Sequence, residues 1–254
     1  MKPLVSIITV SFNSAMTIEK TIESVKNQTY KNIEYIVIDG NSKDHTMNII
    51  QKYTFISKIV SEKDQGIYDA MNKGLTLANG NIIAFLNSDD HYIDEYVVQK
   101  VVDNFLEYQV DAVFGDVGYF SPTKHAKLSR RYSSRNFSSN KLKNGLMPAH
   151  PSLFMKKKIF NTYGIFDSNF KIAGDFELIA RIFKSNAITY RYVPEILVMM
   201  QLGGVSTQGF RSTILLNKEI MMACKKNGIK TSWFNLLLRY PRKLIEFFYL
   251  KGIN

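Results

Sequence analysis

Asn87-Ser88-Asp89-Asp90 sets an amide, a hydroxyl and two adjacent carboxylates directly behind five apolar residues, 82–86 (IIAFL). The apolar run reads as a buried strand of a parallel sheet. In open α/β sheets ligands bind just beyond the carboxyl ends of the strands. Two neighbouring carboxylates repel each other there unless something positive lies beside them. A hard divalent cation with oxygen ligands, itself carrying a phosphate, answers that need. The plainer alternative is a strand-to-helix turn, with Asp89 or Asp90 capping a helix that starts near Tyr92. Three further acids have the same double character. Asp39 follows an apolar run and could brace a turn. Asp69 could serve the dipole of a helix's first turn, and Asp175 could be a helix N-cap.

The elements that must hold these residues follow from hydrophobic period. Residues 4–10 (LVSIITV) read as a first buried strand, ending in the polar loop Ser11-Phe12-Asn13-Ser14. A helix follows, with Ile18, Ile22 and Val25 on one face. Residues 33–38 form the second strand and close on Asp39-Gly40-Asn41-Ser42-Lys43-Asp44, where Gly and Asn permit positive φ and Asp44 caps a helix near Thr46. Residues 55–60 read as a third strand, and Gln65-Gly66-Ile67-Tyr68-Asp69 opens the next helix before the strand at 82–86. The first 90 residues thus alternate β-α-β-α-β-α-β, which implies a parallel sheet with right-handed crossovers. Asn13, Asp39 and the Asn87–Asp90 group converge on one sheet edge, a nucleotide-sized crevice with an acidic floor.

The second half is less regular. A helix is expected over 92–108, a strand over 111–119, and a basic, Ser- and Asn-rich loop or hairpin over 121–146. Residues 147–155 read as a return strand, 156–163 and 174–184 as helices, 188–193 and 196–201 as two short strands. A Gly203-Gly204 turn, or a loop closing over a ligand, leads to a helix over 212–226.

Composition bounds the rest. One cysteine, Cys224, among 254 residues excludes a disulfide framework and fits a reducing compartment. The start runs straight into a strand pattern without an export signal, and no uncharged apolar run reaches membrane-spanning length. A cytoplasmic protein is expected. The net charge of +11 is regional: 124–143 carries seven basic residues and no acid, and 225–254 carries seven against Glu246. That points to a polyanionic surface or substrate. Lys156-Lys157-Lys158 reads as a solvated face, with contact to an anionic acceptor as the alternative.

With these pieces in order, the chain resembles the family 2 glycosyltransferases of GT-A fold over residues 4–205, and within them the short bacterial enzymes of O-antigen or capsule synthesis. The resemblance rests on VSIITVSFN, VIDGNSKDHT, DQGIYDAMNKG, FLNSDD and AGDFEL in the family's order. It implies an α/β domain at 1–207, a Rossmann-like nucleotide-binding half with a mixed central sheet, followed by C-terminal helices at 208–254. It also implies that Phe12, flanked by Ser11 and Asn13, packs near the nucleotide base. Asp39 would hydrogen-bond uracil or ribose, and Asp69 with Asn72 and Lys73 would complete that wall. Asp89 would hold Mn²⁺ or Mg²⁺, with Asn87, Ser88 and Asp90 on the donor side, and Asp175 would be the general base. Two positions depart from the family pattern. The first acid of the metal motif is Asn87, which leaves the number of protein ligands open, and the usual Glu-Asp pair is Gly174-Asp175.

The implied reaction is inverting transfer from a nucleotide sugar, expected to be UDP-linked, to a polyprenyl-diphosphate-linked saccharide. A metal would stabilise the leaving diphosphate, Asp175 would deprotonate the acceptor hydroxyl, and the crevice would align the two. His150 would face the diphosphate or acceptor, or be a structural histidine. Residues 233–250 (WFNLLLRYPRKLIEFFYL) are too charged to span a bilayer and fit an interfacial helix pair on an anionic membrane, or a packing or oligomer contact. A sugar-1-phosphate nucleotidyltransferase is the rival enzyme, but SFNSAMT lacks the Gly-rich basic loop expected after its first strand. A basic nucleic-acid-binding protein is the non-enzyme rival. Acidic strand ends argue against it, so no nucleic-acid partner is expected.

Overall fold

The computed structural model describes residues 2–120, 128–202 and 209–238. β1 (Val5–Ser11), β2 (Ile33–Asp39), β3 (Lys58–Ser61) and β4 (Ile82–Phe85) are parallel neighbours in the order β3-β2-β1-β4. β1 and β4 are buried at every position, as expected of parallel strands covered on both faces. Alternate residues of each strand enter different cores. Ile8, Ile38 and Phe85 join α3 (Ile67–Leu77), α6 (Gly174–Phe183) and α7 (Gly209–Lys226) on one side. Ile7, Val37 and Ala84 join α1 (Ile18–Lys26), α2 (Thr46–Ile50) and α4 (Val97–Tyr108) on the other.

The sheet continues through β8 (Leu153–Lys156), β6 (Ala112–Phe120), β9 (Tyr190–Gln201) and β5 (Asp90–Tyr92), with β7 (Leu128–Tyr132) paired to β6. It is mixed, because β4 and β8, β6 and β8, and β5 and β9 are antiparallel. β5 follows β4 almost directly in the chain yet lies four strand positions away in the sheet order. Four flat spacings measure about 19 Å, and the Asp90 N–H donates to Asn87 O within a tight turn, too compact to reach that far. The sheet therefore curls, and its curl brings the Asn87–Asp90 turn against β9.

Several elements differ from expectation. The segment expected to open a helix at 92 instead begins with β5, and α4 starts at Val97, after Asp94 accepts the Tyr96 N–H at 2.8 Å. Neither Asp89 nor Asp90 caps it. The third strand begins at Lys58, not 55. The return strand begins at Leu153, because His150–Ser152 form a 3₁₀ turn. The strands expected at 188–193 and 196–201 are one strand, β9. Its register against β6 shifts between Tyr192 and Ile196, so Pro194, which has no N–H, sits in a bulge rather than ending the strand. α5 (Lys157–Tyr163) is close to its expected span. In the turn after β2, Asn41 has the positive φ (63°), whereas Gly40 does not. A Cβ at Gly40 would lie 2.9 Å from Asp64 Oδ2 and 3.3 Å from the Phe12 ring, so space is what requires glycine there.

α7 contributes Ile220, Ala223 and Cys224 to the same core as β1 and α3, and the short α8 (Trp233–Leu237) contributes Leu236. Among the described residues no helix is long and apolar enough to cross a membrane. The Gly203-Gly204 loop and residues 239–250 lie outside the described residues.

Candidate functional site

The carboxyl ends of β1, β2 and β4 carry three loops that are tied to one another. Asp39 is fully buried and accepts from Ser11 Oγ (3.2 Å), Ser42 N (2.9 Å), Ser42 Oγ (2.5 Å) and Ser61 Oγ (2.7 Å). Its oxygens are thus committed within the chain, which makes it the brace of the β1 and β2 loops. Asn13, at φ 50°, donates its N–H to Ser42 Oγ and accepts the Lys43 N–H, both at 2.8 Å. Phe12 projects from this braced loop and is 63% exposed, a flat apolar face left at the rim.

Ser14 Oγ meets Ser88 Oγ at 2.8 Å, joining the first loop to the turn after β4. In that turn Asn87 Nδ2 faces Asp90 Oδ2 at 3.4 Å, while Asn87 Oδ1 and Asp90 Oδ1 are buried with no hydrogen-bond partner. Burial raises the Asp90 carboxyl well above the usual range, and the neighbouring Asp89 charge adds to it. Burial also raises Asp89. Two orphaned acceptors and two carboxylates pushed toward their neutral forms make a local shortage of positive charge.

Asp175 is the second residue of α6, with Oδ1 accepting the Phe176 N–H at 2.7 Å. The Tyr68 hydroxyl is 3.4 Å from that oxygen and 2.7 Å from Ile172 O. A hydroxyl has one proton, and the shorter contact takes it. Burial raises the Asp175 carboxyl and His150 opposes that rise. Burial lowers His150, opposed in turn by Asp175. His150 stacks on Phe85 of β4 at 5.8 Å and meets Phe166 edge-on at 5.9 Å. Tyr68, Phe85, Phe166 and His150 thus form one ring cluster, from which the Tyr68 hydroxyl reaches toward Asp175. The absent acid at 174 also has a cause. A Cβ there would lie 2.7 Å from the Tyr68 ring, so Tyr68 occupies the space a larger residue would need.

The α3 residues expected near the donor also make contacts within the chain. Asn72 uses both ends of its amide on the Phe166 backbone, accepting its N–H at 3.0 Å and donating to its C=O at 2.9 Å. Lys73 pairs with Asp64 (2.7 Å) and Glu62 (2.8 Å), and the Asp64 bond holds its ammonium well above the usual range. Asp69 accepts the Gln65 N–H at 3.0 Å, at the first turn of its own helix. Asp64, which immediately precedes Gln65 in the DQGIYDAMNKG segment, is not singled out by the sequence reading. The structure sets it beside Gly40 and Phe12, at the rim.

A separate open groove of about 450 Å³ lies at the opposite sheet edge, lined by Asn79, Gly80, Asn81 and Lys156 to Lys158. Its lysines are engaged by the chain itself: Lys157 with Ala78 O (2.6 Å), Lys156 with Gln109 O (3.4 Å), Lys158 with Asp111 (2.8 Å). It holds none of the acids above.

Residues 6–164 match the family model for glycosyl transferase family 2. This chain is a family 2 glycosyltransferase. Among curated relatives of the glycosyltransferase, a PGL/p-HBAD biosynthesis glycosyltransferase of Mycobacterium bovis is 27% identical over 80% of this chain and 79% of its own length. An uncharacterized glycosyltransferase of Mycobacterium tuberculosis is 34% identical over 70% and 68%. The Escherichia coli UDP-Glc:alpha-D-GlcNAc-diphosphoundecaprenol beta-1,3-glucosyltransferase WfaP is 38% identical over 46% of this chain and 51% of its own. The glycosyltransferase shares its fold with Staphylococcus aureus TarS in complex with UDP-GlcNAc, at TM-score 0.67 and 16% identity over 87% of this chain and 66% of that one. It shares it also with the mannosyltransferase PcManGT of Pyrobaculum calidifontis in complex with GDP-Man and Mn²⁺, at TM-score 0.65 and 16% identity over 92% and 67%. The fold is GT-A.

The residues after β4 fit a divalent cation in donor type, since Asn87 Oδ1 and Asp90 Oδ1 are buried oxygens without donors beside the Asp89 carboxylate. Among the described residues no three His, Cys, Asp or Glu side chains form a closed metal cluster. Such a cation would take its remaining ligands from the donor's diphosphate and water.

Proposed function

We propose that this glycosyltransferase moves a hexose or N-acetylhexosamine, with inversion, from a UDP-sugar to a polyprenyl-diphosphate-linked saccharide in surface-polysaccharide synthesis. The observation that carries the reading is Asp175, a partly buried carboxyl with a raised pKa, whose Oδ1 lies 3.4 Å from the Tyr68 hydroxyl beside the ring cluster of Phe166 and His150. A raised carboxyl is the better proton acceptor near neutral pH, and Asp175 comes from a different segment of the chain than the acidic turn.

Asp89 would hold Mn²⁺ or Mg²⁺, with Asn87 Oδ1 as the neutral second oxygen. When bound, that cation supplies Lewis-acid stabilisation of the departing diphosphate. Phe12 would cover the base, and Ser11, Asn13, Asp39 and Ser88 would fix the loops it rests on. Asp175 would take the acceptor proton as the hydroxyl attacks. His150, whose imidazole burial pushes toward the neutral form, would line the acceptor side of Asp175 with Phe85 and Phe166. WfaP's diphosphoundecaprenol-linked acceptor supports the acceptor class, and the UDP-GlcNAc of TarS the donor class. The test is a panel of radiolabelled nucleotide sugars with a diphosphate-lipid acceptor analogue. Turnover of a UDP-sugar, abolished by EDTA and restored by Mn²⁺, is expected; transfer only from a GDP-sugar would overturn the donor assignment.

The protein would work peripherally on the cytoplasmic membrane face. Trp233, Phe234, Leu237 and Leu238 of and after α8 are half or more exposed, and Thr231 ties this end to Lys143 in a basic 3₁₀ segment that also carries Lys141. Exposed aromatics beside lysines match an anionic bilayer surface. Sedimentation with phosphatidylglycerol vesicles is expected, and little with neutral phosphatidylcholine. The double change Trp233→Ser, Phe234→Ser should weaken it by about tenfold or more. Equal binding by that variant would remove the membrane role from α8.

A further inference from the structure

Glu219 lies on α7, beyond the residues matched to the family, and is only 6% exposed. Its Oε1 accepts the Lys171 N–H at 3.0 Å, and its Oε2 accepts those of Ile172 (2.9 Å) and Ala173 (2.8 Å). These three consecutive amides lead directly into Gly174, the first residue of α6. Ala173 offers no side-chain cap of its own, so a carboxylate from another helix grips the approach to this N-terminus. Bonds from N–H groups to an ionised carboxylate are among the stronger hydrogen bonds in proteins.

The same peptide is held from its other side. Tyr68 donates to Ile172 O at 2.7 Å and its ring lies against Gly174. Asp175 follows immediately. α7 is in turn fixed to α6 and the loop before it: Asn227 Nδ2 donates to the buried Glu177 at 3.2 Å, and Lys226 pairs with Asp167 at 2.6 Å. Glu219 thus reaches from an anchored helix to the segment that sets where the Asp175 carboxylate stands.

We infer that Glu219 is a positioning residue for Asp175, and that α7 belongs to the catalytic machinery; this rests on Asp175 being the base. Misplacement by about 1 Å costs on the order of 10²-fold in rate. Glu219→Gln keeps the size but turns an N–H₂ toward amides that need acceptors. Its kcat should fall about 10²-fold, with UDP affinity by calorimetry unchanged. In an Asp175→Asn background the same change should lower the residual rate no further, because two residues acting through one group are not additive. Lys26→Ala, which removes an exposed pair with Glu23 on α1 far from the clamp in the chain, should keep its kcat. In the unmodified full-length protein the amides of Lys171, Ile172 and Ala173 should exchange slowly with deuterium, a reading that needs no variant to fold.

Normal turnover by Glu219→Gln, multiplicative losses in the double variant, an equal loss in Lys26→Ala, or fast exchange at 171–173 would each overturn the inference while leaving the base assignment standing. Normal turnover by Asp175→Asn would instead remove the base assignment, and the positioning role with it.

Discussion

Asp175→Asn is expected to lower kcat for sugar transfer by about 10³-fold, while UDP binding measured by calorimetry stays as in the unmodified enzyme. The amide keeps the shape and can still accept the Phe176 N–H, but it cannot take a proton from the acceptor. Stability should move the other way. Burial raises the Asp175 carboxyl, so in the folded protein it binds a proton more tightly than in the unfolded chain, where its pKa is about 3.9. As pH rises above that value the unfolded chain ionises first, and the native state loses stability relative to it until the folded pKa is passed. At pH 7 the ionised, partly buried carboxylate is therefore a net cost, and Asp175→Asn should melt at a higher temperature than the native protein. Below about pH 4 the difference should vanish. The acid limb of the kcat profile should lie above the ordinary carboxylate range for the same reason. A variant with normal kcat, or a limb at the unperturbed carboxylate value, would end the assignment.

Asp89→Asn carries the second large effect. Its carboxylate is the one charged side chain of the turn that is partly open to the crevice, whereas Asp90 is sealed. Removing it should weaken Mn²⁺-dependent UDP binding and reduce transfer by about 10³-fold, since metal stabilisation of a leaving group is worth several kcal/mol. Isothermal titration of UDP with and without Mn²⁺ reads this apart from chemistry. A variant that retains its full metal response would show that the cation is held elsewhere. Asn87→Asp, which restores the second charge, should tighten Mn²⁺ in the same titration; no change there would mean that Asn87 Oδ1 faces away from the cation.

Particular residues show how far the chain can be read without its fold. Residues 4–10 and 82–86 are legible as strands because their apolar runs are short, uninterrupted and bounded by polar turns. Ile18, Ile22 and Val25 are legible as a helix face because steps of three and four residues return a side chain to the same side of the helix. β5 is not legible. Three residues, DHY, carry no period, and their pairing with Val198–Met200 depends on partners more than a hundred positions away. Pro194 reads as a break because proline removes a ladder hydrogen bond, but a bulge against β6 absorbs the loss. Glu219 is invisible for a similar reason: a glutamate in an amphipathic helix reads as solvated until the loop it holds is folded beside it.

By itself the sequence determined the alternation of strands and helices in the first half, and with it which acids must share a sheet edge, because both follow from local hydrophobic period and the direction of parallel strands. Only the tertiary structure decided what each acid can do there. Asp39 and Asp90 are both aspartates at the end of the same sheet. Three serines from three segments fill the oxygens of Asp39, while the curl of the sheet buries Asp90 with an oxygen unmatched. Hydrogen-bond satisfaction is a property of neighbours distant in the chain, so no local pattern could have told the two apart.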